Sequence, residues 1–214
     1  LKELLGNSLK QISKVSISPK SYNNKYGVPL SLFNLDQKDD YGVLEIGMDK
    51  KGEIDYLSKI VQPDVSVITN INYAHAKNFK NLKQIALAKS EIINNTKDNG
   101  FIVLNADDNF FALHKKLAIR KNLKILSFGI KSKNSNIKFI NIKKVAKRFK
   151  ATIEINNLKT YFLIPNDFQN NILNILAALA VMSIFLDISK INKNIFIYFK
   201  TPKGRGDISK IRID

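Results

Sequence analysis

A carboxylate, a histidine and a lysine stand out among the 214 residues as groups able to do chemistry. Glu45 lies within Tyr41-Gly42-Val43-Leu44-Glu45-Ile46-Gly47, an otherwise apolar run. Burying that carboxylate without a partner would be costly. Two roles fit it, an ion pair with one of the many lysines or an oxygen ligand for a hard cation such as Mg²⁺. His75, one of two histidines, comes shortly after Thr69-Asn70. A lone histidine is more often structural than catalytic, but a place just past a strand end favours a site. His114 stands in a Lys-rich stretch and is expected on the surface. Lys89, in Leu87-Ala88-Lys89-Ser90-Glu91-Ile92, reads by itself as an ordinary solvated lysine. With two His and no Cys, a zinc site is not expected, and a cysteine nucleophile and a disulfide scaffold are excluded.

These groups need a folded frame, and the composition supplies one. Hydrophobic residues make up 44% and charged residues 25%, the balance of a globular protein with one large α/β domain or two smaller ones. The net charge of +17 invites a nucleic-acid reading. Only 4 of the 35 cations are Arg, however, while Lys, Ile and Asn number 31, 30 and 25. All three have A/T-rich codons, so genome composition explains much of the excess. Nucleic-acid readers favour Arg for bidentate contacts. The longest apolar run, Ile175 to Leu186, is shorter than the roughly 20 residues of a membrane span. Without Cys or a signal peptide, the reducing cytoplasm is the expected compartment.

Strand and helix signals alternate along the chain. Strands are expected at Val15–Ile17, Tyr41–Gly47, Val65–Asn70, Phe101–Leu104 and Leu123–Phe128. Helices are expected from Leu1 to Leu9, at Gly27–Leu35 with Pro29 in the first turn, and at Glu53–Val61, Asn81–Asn94 and Asp107–Ala118. This order predicts an α/β fold, a mostly parallel sheet flanked by helices. From about 136 to 165 the pattern changes to a small antiparallel β flap. Its strand candidates are Ile137–Val145, Lys150–Ile155 and Leu158–Ile164, with Asn156-Asn157 as a tight turn. A long helix, Phe168–Leu186, and another, Ile188–Phe199, follow. In such sheets ligands bind beyond the carboxyl ends of the strands. Ser21 to Pro29, Glu45 to Gly52, and Thr69-Asn70 with Ala74-His75 fall at that edge.

Several segments occur together in register. They are Tyr22-Asn23-Asn24-Lys25-Tyr26-Gly27-Val28-Pro29, Leu44-Glu45-Ile46-Gly47-Met48 with Gly52-Glu53-Ile54, Thr69-Asn70-Ile71 with Ala74-His75, and Ala88-Lys89-Ser90-Glu91-Ile92. Asn105-Ala106-Asp107-Asp108 and Asn171-Ile172-Leu173-Asn174 continue the series. Each is weak alone, but in this order they resemble the Mur ligases over nearly the whole chain. The Asn-Asn-x-x-Gly-Val-Pro and Gly-Glu-Ile elements are similar to the branch that adds D-alanyl-D-alanine to UDP-N-acetylmuramoyl-tripeptide.

The resemblance implies a P-loop NTPase-like central, ATP-binding domain over residues 1–200, with 201–214 starting the linker to a further domain. It implies a cytoplasmic, monomeric, ATP- and Mg²⁺-dependent amide ligase of peptidoglycan synthesis working through an acyl phosphate. Glu45 and His75 match its metal ligands, and Lys89 its carbamylated lysine. Asn171 and Asn174 match the adenine-binding segment, and Arg205 an arginine near the nucleotide. Asn23 and Asn24, with Thr69 and Asn70, fall where the substrates are met. Three departures go with it. The family's phosphate loop, G-x-x-G-K-[ST], is expected immediately before Leu1, with Leu1–Leu9 the rest of its helix. A uridine-binding and an amine-binding domain are expected outside these residues, so the 214 residues alone are expected to be inactive. Gly-x-His-Asn reads Phe168-Gln169-Asn170-Asn171. Two alternatives stay open. One is another Mur-type ligase, adding diaminopimelate or lysine or resembling folylpolyglutamate synthase. The other is a non-catalytic basic module that binds nucleic acid.

Overall fold

The computed structural model describes residues 1–73, 78–165, 168 and 171–200. Its first half alternates short strands and helices: α1 (Lys2–Leu9), β1 (Val15–Ile17), α2 (Gly27–Phe33), β2 (Tyr41–Val43), α3 (Glu53–Val61), β3 (Val65–Ile68) and α4 (Leu82–Asn95). β4 (Phe101–Asn105), α5 (Phe111–Arg120) and β5 (Lys124–Gly129) follow, then β6 (Ile137–Val145), β7 (Arg148–Ile155), β8 (Leu158–Ile164) and α6 (Ile172–Phe185). β1 and β2 pair in parallel as a two-stranded sheet. β3 to β8 form a six-stranded sheet in sequence order, parallel from β3 to β6 and antiparallel from β6 to β8. The expected flap is thus a continuation of the main sheet, joined through the parallel pairing of Phe128 with Ile137. Asn156 and Asn157 both have positive φ, 47° and 68°, the conformation a tight hairpin demands and Asn tolerates.

The sheet lies between two layers of helices. Val103 of β4 faces a core built from α1, α6 and the inner residues of β6 to β8. Its neighbours Ile102 and Leu104 face a second core with Ile54 of α3, Ile85 and Ala88 of α4 and Ala118 of α5. Alternation along one strand therefore feeds both layers. α6 is apolar all round, and Ile175 to Ala180 are fully buried.

Several expected boundaries change, among them those of the long helix, which opens at Ile172 and not at Phe168, and of α2, which ends at Phe33. Tyr41–Gly47 is a strand only to Val43, so Glu45 stands past its end. Val65–Asn70 is a strand only to Ile68, which leaves Thr69 and Asn70 at the edge. α5 begins at Phe111 because the side chains of Asn105 and Asp108 take the N–H groups of Asp107 and Phe110 into turns. Ile188–Phe199 is not a helix but a 3₁₀ turn, Ile188–Lys190, followed by irregular turns. There Asn192 accepts the N–H of Asn194 at 2.9 Å, and the Lys193 carbonyl accepts the Leu163 N–H at 2.8 Å. These bonds replace helical ones, while Ile191, Ile195 and Phe196 still pack into the core.

Candidate functional site at the strand ends

Four polar groups meet past β1 and β2. The Glu45 N–H donates to Ser18 Oγ at 3.3 Å, and Asn23 Nδ2 donates to Glu45 Oε1 at 3.4 Å. The Asn23 carbonyl accepts the Gly47 N–H at 2.7 Å. A Cβ at Gly47 would lie 2.9 Å from the Asn23 side chain, so this approach needs glycine. Lys2 comes in from the first turn of α1. It is the only buried lysine among the described residues, and its Nζ donates to the carbonyls of Ser18 and, at 2.6 Å, Lys20. The Lys2–Glu3 ion pair completes its shell at 3.1 Å. The carboxyl ends of β1 and β2 are thereby tied to the start of α1.

Asn24 has a structural task. Its Oδ1 accepts the N–H groups of Tyr26 at 3.1 Å and Gly27 at 3.0 Å, closing the entry to α2. The side chain is thus directed at its own helix.

A second group gathers past β3. Lys89 of α4 donates to the Asn70 carbonyl at 2.8 Å. The Ile71 N–H donates to Asp108 Oδ2 at 2.8 Å. Thr69 Oγ1 donates to Asn70 Oδ1 at 3.2 Å. Burial holds the Lys89 amine below its ordinary value, and the nearby Asp108 carboxylate works in the opposite direction. A depressed amine carries a larger neutral fraction, which is its nucleophilic form.

The two groups share a scaffold. Ile46 and Met48, which flank Gly47 after Glu45, pack in one core cluster with Ile68, Ile71 and Ala88. The segment after them is tied to α4 by Glu91, two residues beyond Lys89. Glu91 Oε1 accepts the Gly52 N–H at 2.9 Å, and Oε2 accepts the Asp55 N–H at 3.1 Å. Gly52 has φ 89°, a backbone that suits glycine. Glu53 accepts the N–H groups of Asp49 and Lys50, which hold its carboxyl below the usual range. Gly-Glu-Ile is therefore a capping element of this loop.

The third group is at α6, where Asn174 Nδ2 donates to Asn171 Oδ1 at 3.3 Å. His75, Asn170 and Arg205 lie outside the described residues. His114, expected on the surface, is 2% exposed, with Nε2 3.1 Å from the Ala86 carbonyl. It shares a face of α5 with buried Ala118, which outweighs the lysines beside it. Lys2, Ser18, Glu91 and Asp108 were not singled out by the sequence. Two of them carried a signal, Glu91 inside Ala88-Lys89-Ser90-Glu91-Ile92 and Asp108 in an Asn-Ala-Asp-Asp turn directly after a strand.

The described donors past β1 and β2 are oxygens, from Glu45, Ser18 and Asn23, and suit a hard cation. Among the described residues no three His, Cys, Asp or Glu side chains gather as a metal site.

The polar groups collect past the carboxyl ends of β1, β2 and β3, where open parallel sheets bind their ligands. The Mur ligase middle domain matches residues 1–182, and the chain belongs to this family. It is 35% identical over 194 residues to the UDP-N-acetylmuramoyl-tripeptide–D-alanyl-D-alanine ligase of Buchnera aphidicola subsp. Baizongia pistaciae, covering 89% of this chain and 42% of that one. A crystal structure of MurF from Acinetobacter baumannii superposes with a TM-score of 0.86 at 30% identity, over 98% of this chain and 45% of that one. MurF ligase from Thermotoga maritima in complex with ADP gives 0.83 at 29%, over 95% and 46%. The chain spans under half the length of these relatives. No described helix is long and apolar enough to cross a membrane.

Proposed function

We propose that this chain is the ATP-binding domain, over residues 1–200, of a cytoplasmic, monomeric amide ligase. The ligase would join D-alanyl-D-alanine to UDP-N-acetylmuramoyl-tripeptide in peptidoglycan synthesis. The observation that carries this is the pairing of family membership with the two polar groups past the carboxyl ends of β2 and β3, Asn23–Glu45 and Asn70–Lys89. A carboxylate is a poor electrophile, so the γ-phosphoryl group of ATP first passes to the tripeptide's terminal carboxylate, giving an acyl phosphate and ADP. The amine of D-alanyl-D-alanine then attacks, and phosphate leaves.

Each residue has a task in this reading. Asn23, Thr69 and Asn70 meet the substrates at the sheet edge. Asn24 keeps the Asn23 loop in place through its cap on α2. Asn171 and Asn174 hold the adenine, and Arg205 lies by the nucleotide. Glu45, His75 and carbamylated Lys89 would hold Mg²⁺. That ion supplies neutralisation of the charge gathered between phosphate and carboxylate. Burial raises the neutral fraction of the Lys89 amine, which adds to carbon dioxide and releases a proton. The product is an anionic oxygen ligand on a residue that was a cation.

The test uses the full-length protein containing this chain. Phosphate release from ATP is expected only with both UDP-N-acetylmuramoyl-tripeptide and D-alanyl-D-alanine present. Glu45→Gln is expected to lower kcat by about 100-fold or more, as befits loss of several kcal/mol of charge stabilisation. Release that instead requires diaminopimelate, lysine or glutamate as the amine would overturn the substrate assignment. Full activity in Glu45→Gln would overturn the role of Glu45.

A further inference from the structure

The peptide unit between Asn70 and Ile71 is gripped at both ends, by a side-chain N–H and by a carboxylate. Its carbonyl accepts from Lys89 Nζ at 2.8 Å, and its N–H donates to Asp108 Oδ2 at 2.8 Å. The two side chains come from different places, Lys89 from α4 and Asp108 from the turn between β4 and α5. The peptide oxygen faces the Lys89 N–H, which the amine and its carbamate both carry, and the peptide hydrogen faces the Asp108 carboxylate. A bond to an ionised carboxylate is roughly twice as strong as a neutral one, which favours the Asp108 end. Ile71 is itself 6% exposed, so its N–H would be expensive to leave unpaired. Asp108 is fixed in turn, because its Oδ1 accepts the Phe110 N–H at 2.9 Å.

We propose that Asp108 is a positioning residue, which with Lys89 clamps the Asn70–Ile71 peptide and sets the path of the chain as it leaves β3. Its effect on catalysis rests on the ligase reading above, since Thr69, Asn70 and Lys89 act at that edge. Without Asp108 the peptide keeps only its Lys89 bond and can turn. Lys89 and residues 71–73 then lose their common reference. Neighbouring Asp107 offers a matched comparison. Its carboxylate accepts the N–H groups of Ile130, Lys131 and Ser132 at 2.6–3.1 Å, which secures the loop after β5 and not the clamp.

The experiment measures amide hydrogen exchange and steady-state kinetics on the full-length protein, as wild type, Asp108→Asn and Asp107→Asn. In the wild type the Ile71 amide is expected to be protected at least about 100-fold, and Asp108→Asn to remove at least tenfold of that. The same variant should lower kcat about 10- to 100-fold with the KM for D-alanyl-D-alanine within threefold, the signature of misplaced groups. Asp107→Asn should lower Tm while keeping kcat and the Ile71 protection. An unprotected Ile71 amide in the wild type would overturn the clamp without any variant. So would equal kinetic behaviour of the two Asp variants. Absence of all ligase activity in the wild type would sink the ligase reading instead, and exchange at Ile71 would still judge the clamp.

Discussion

His114 is a base held where charging it is difficult. Burial keeps its imidazole below the ordinary value of about 6.5, although the Ala86 carbonyl and Asp108 pull the other way. The Ala86 carbonyl can only accept, so Nε2 carries the proton of the neutral ring. In the unfolded chain the ring titrates normally. As pH falls below about 6.5 the unfolded state takes up a proton that the folded state refuses, so stability falls with acidity, by at most about 1.4 kcal/mol per pH unit. His114→Gln keeps a donor for Ala86 and does not titrate. Wild type should therefore lose more Tm than His114→Gln between pH 7.5 and 5.5, and parallel losses would refute the linkage. The reading of His114 as a surface residue followed the lysines around it. The signal that mattered was its place one turn from Ala118 on the buried face. Glu45, by contrast, was legible because a carboxylate among apolar residues is conspicuous anywhere.

Elements here are tied together by side chains far apart in sequence. Glu91 closes the N-terminus of α3 from α4, 39 residues away from Gly52. One turn on, Asn95 Nδ2 donates to Asp55 Oδ1 at 2.9 Å and Ser58 Oγ at 3.0 Å. The pair is a seam along two helices. Glu91→Ala removes a charged acceptor from α3, so it should cost about 1–2 kcal/mol. It should also speed exchange at the Gly52 and Asp55 amides. An unchanged urea midpoint with unchanged exchange would show that the seam carries no weight. Most elements were visible beforehand from their periods, α3 and β8 to the residue. The seam was not, because no local pattern joins position 52 to position 91. Ile188–Phe199 failed for a related reason: apolar residues at helical spacing satisfied the core in turns, with Asn side chains and Leu163 taking the backbone bonds.

At the scale of the molecule the site straddles two sheets of unequal strength. Asn23 and Glu45 stand at the ends of a two-stranded parallel pair, while Thr69, Asn70 and Lys89 belong with the six-stranded sheet. Two strands alone are marginal, and this pair depends on α1 lying over it. Its strands are only partly buried along Tyr41–Val43, whereas β4 is buried from Ile102 to Asn105. The α/β alternation announced one sheet. The division appears only when pairing is traced, since β2 bonds to β1 and β3 to β4 among the described strands. Unequal pairing predicts unequal opening. Amides of β1 and β2 should exchange at least about 100-fold faster than those of Val103 and Leu104, a gap of roughly 3 kcal/mol in opening free energy. A ligand that bridges Glu45 and the β3 edge should slow exchange in β1 and β2 most, because it adds to the weaker side the anchorage it lacks. Equal protection of all strands in the free protein would mean that α1 alone makes the two sheets one cooperative unit.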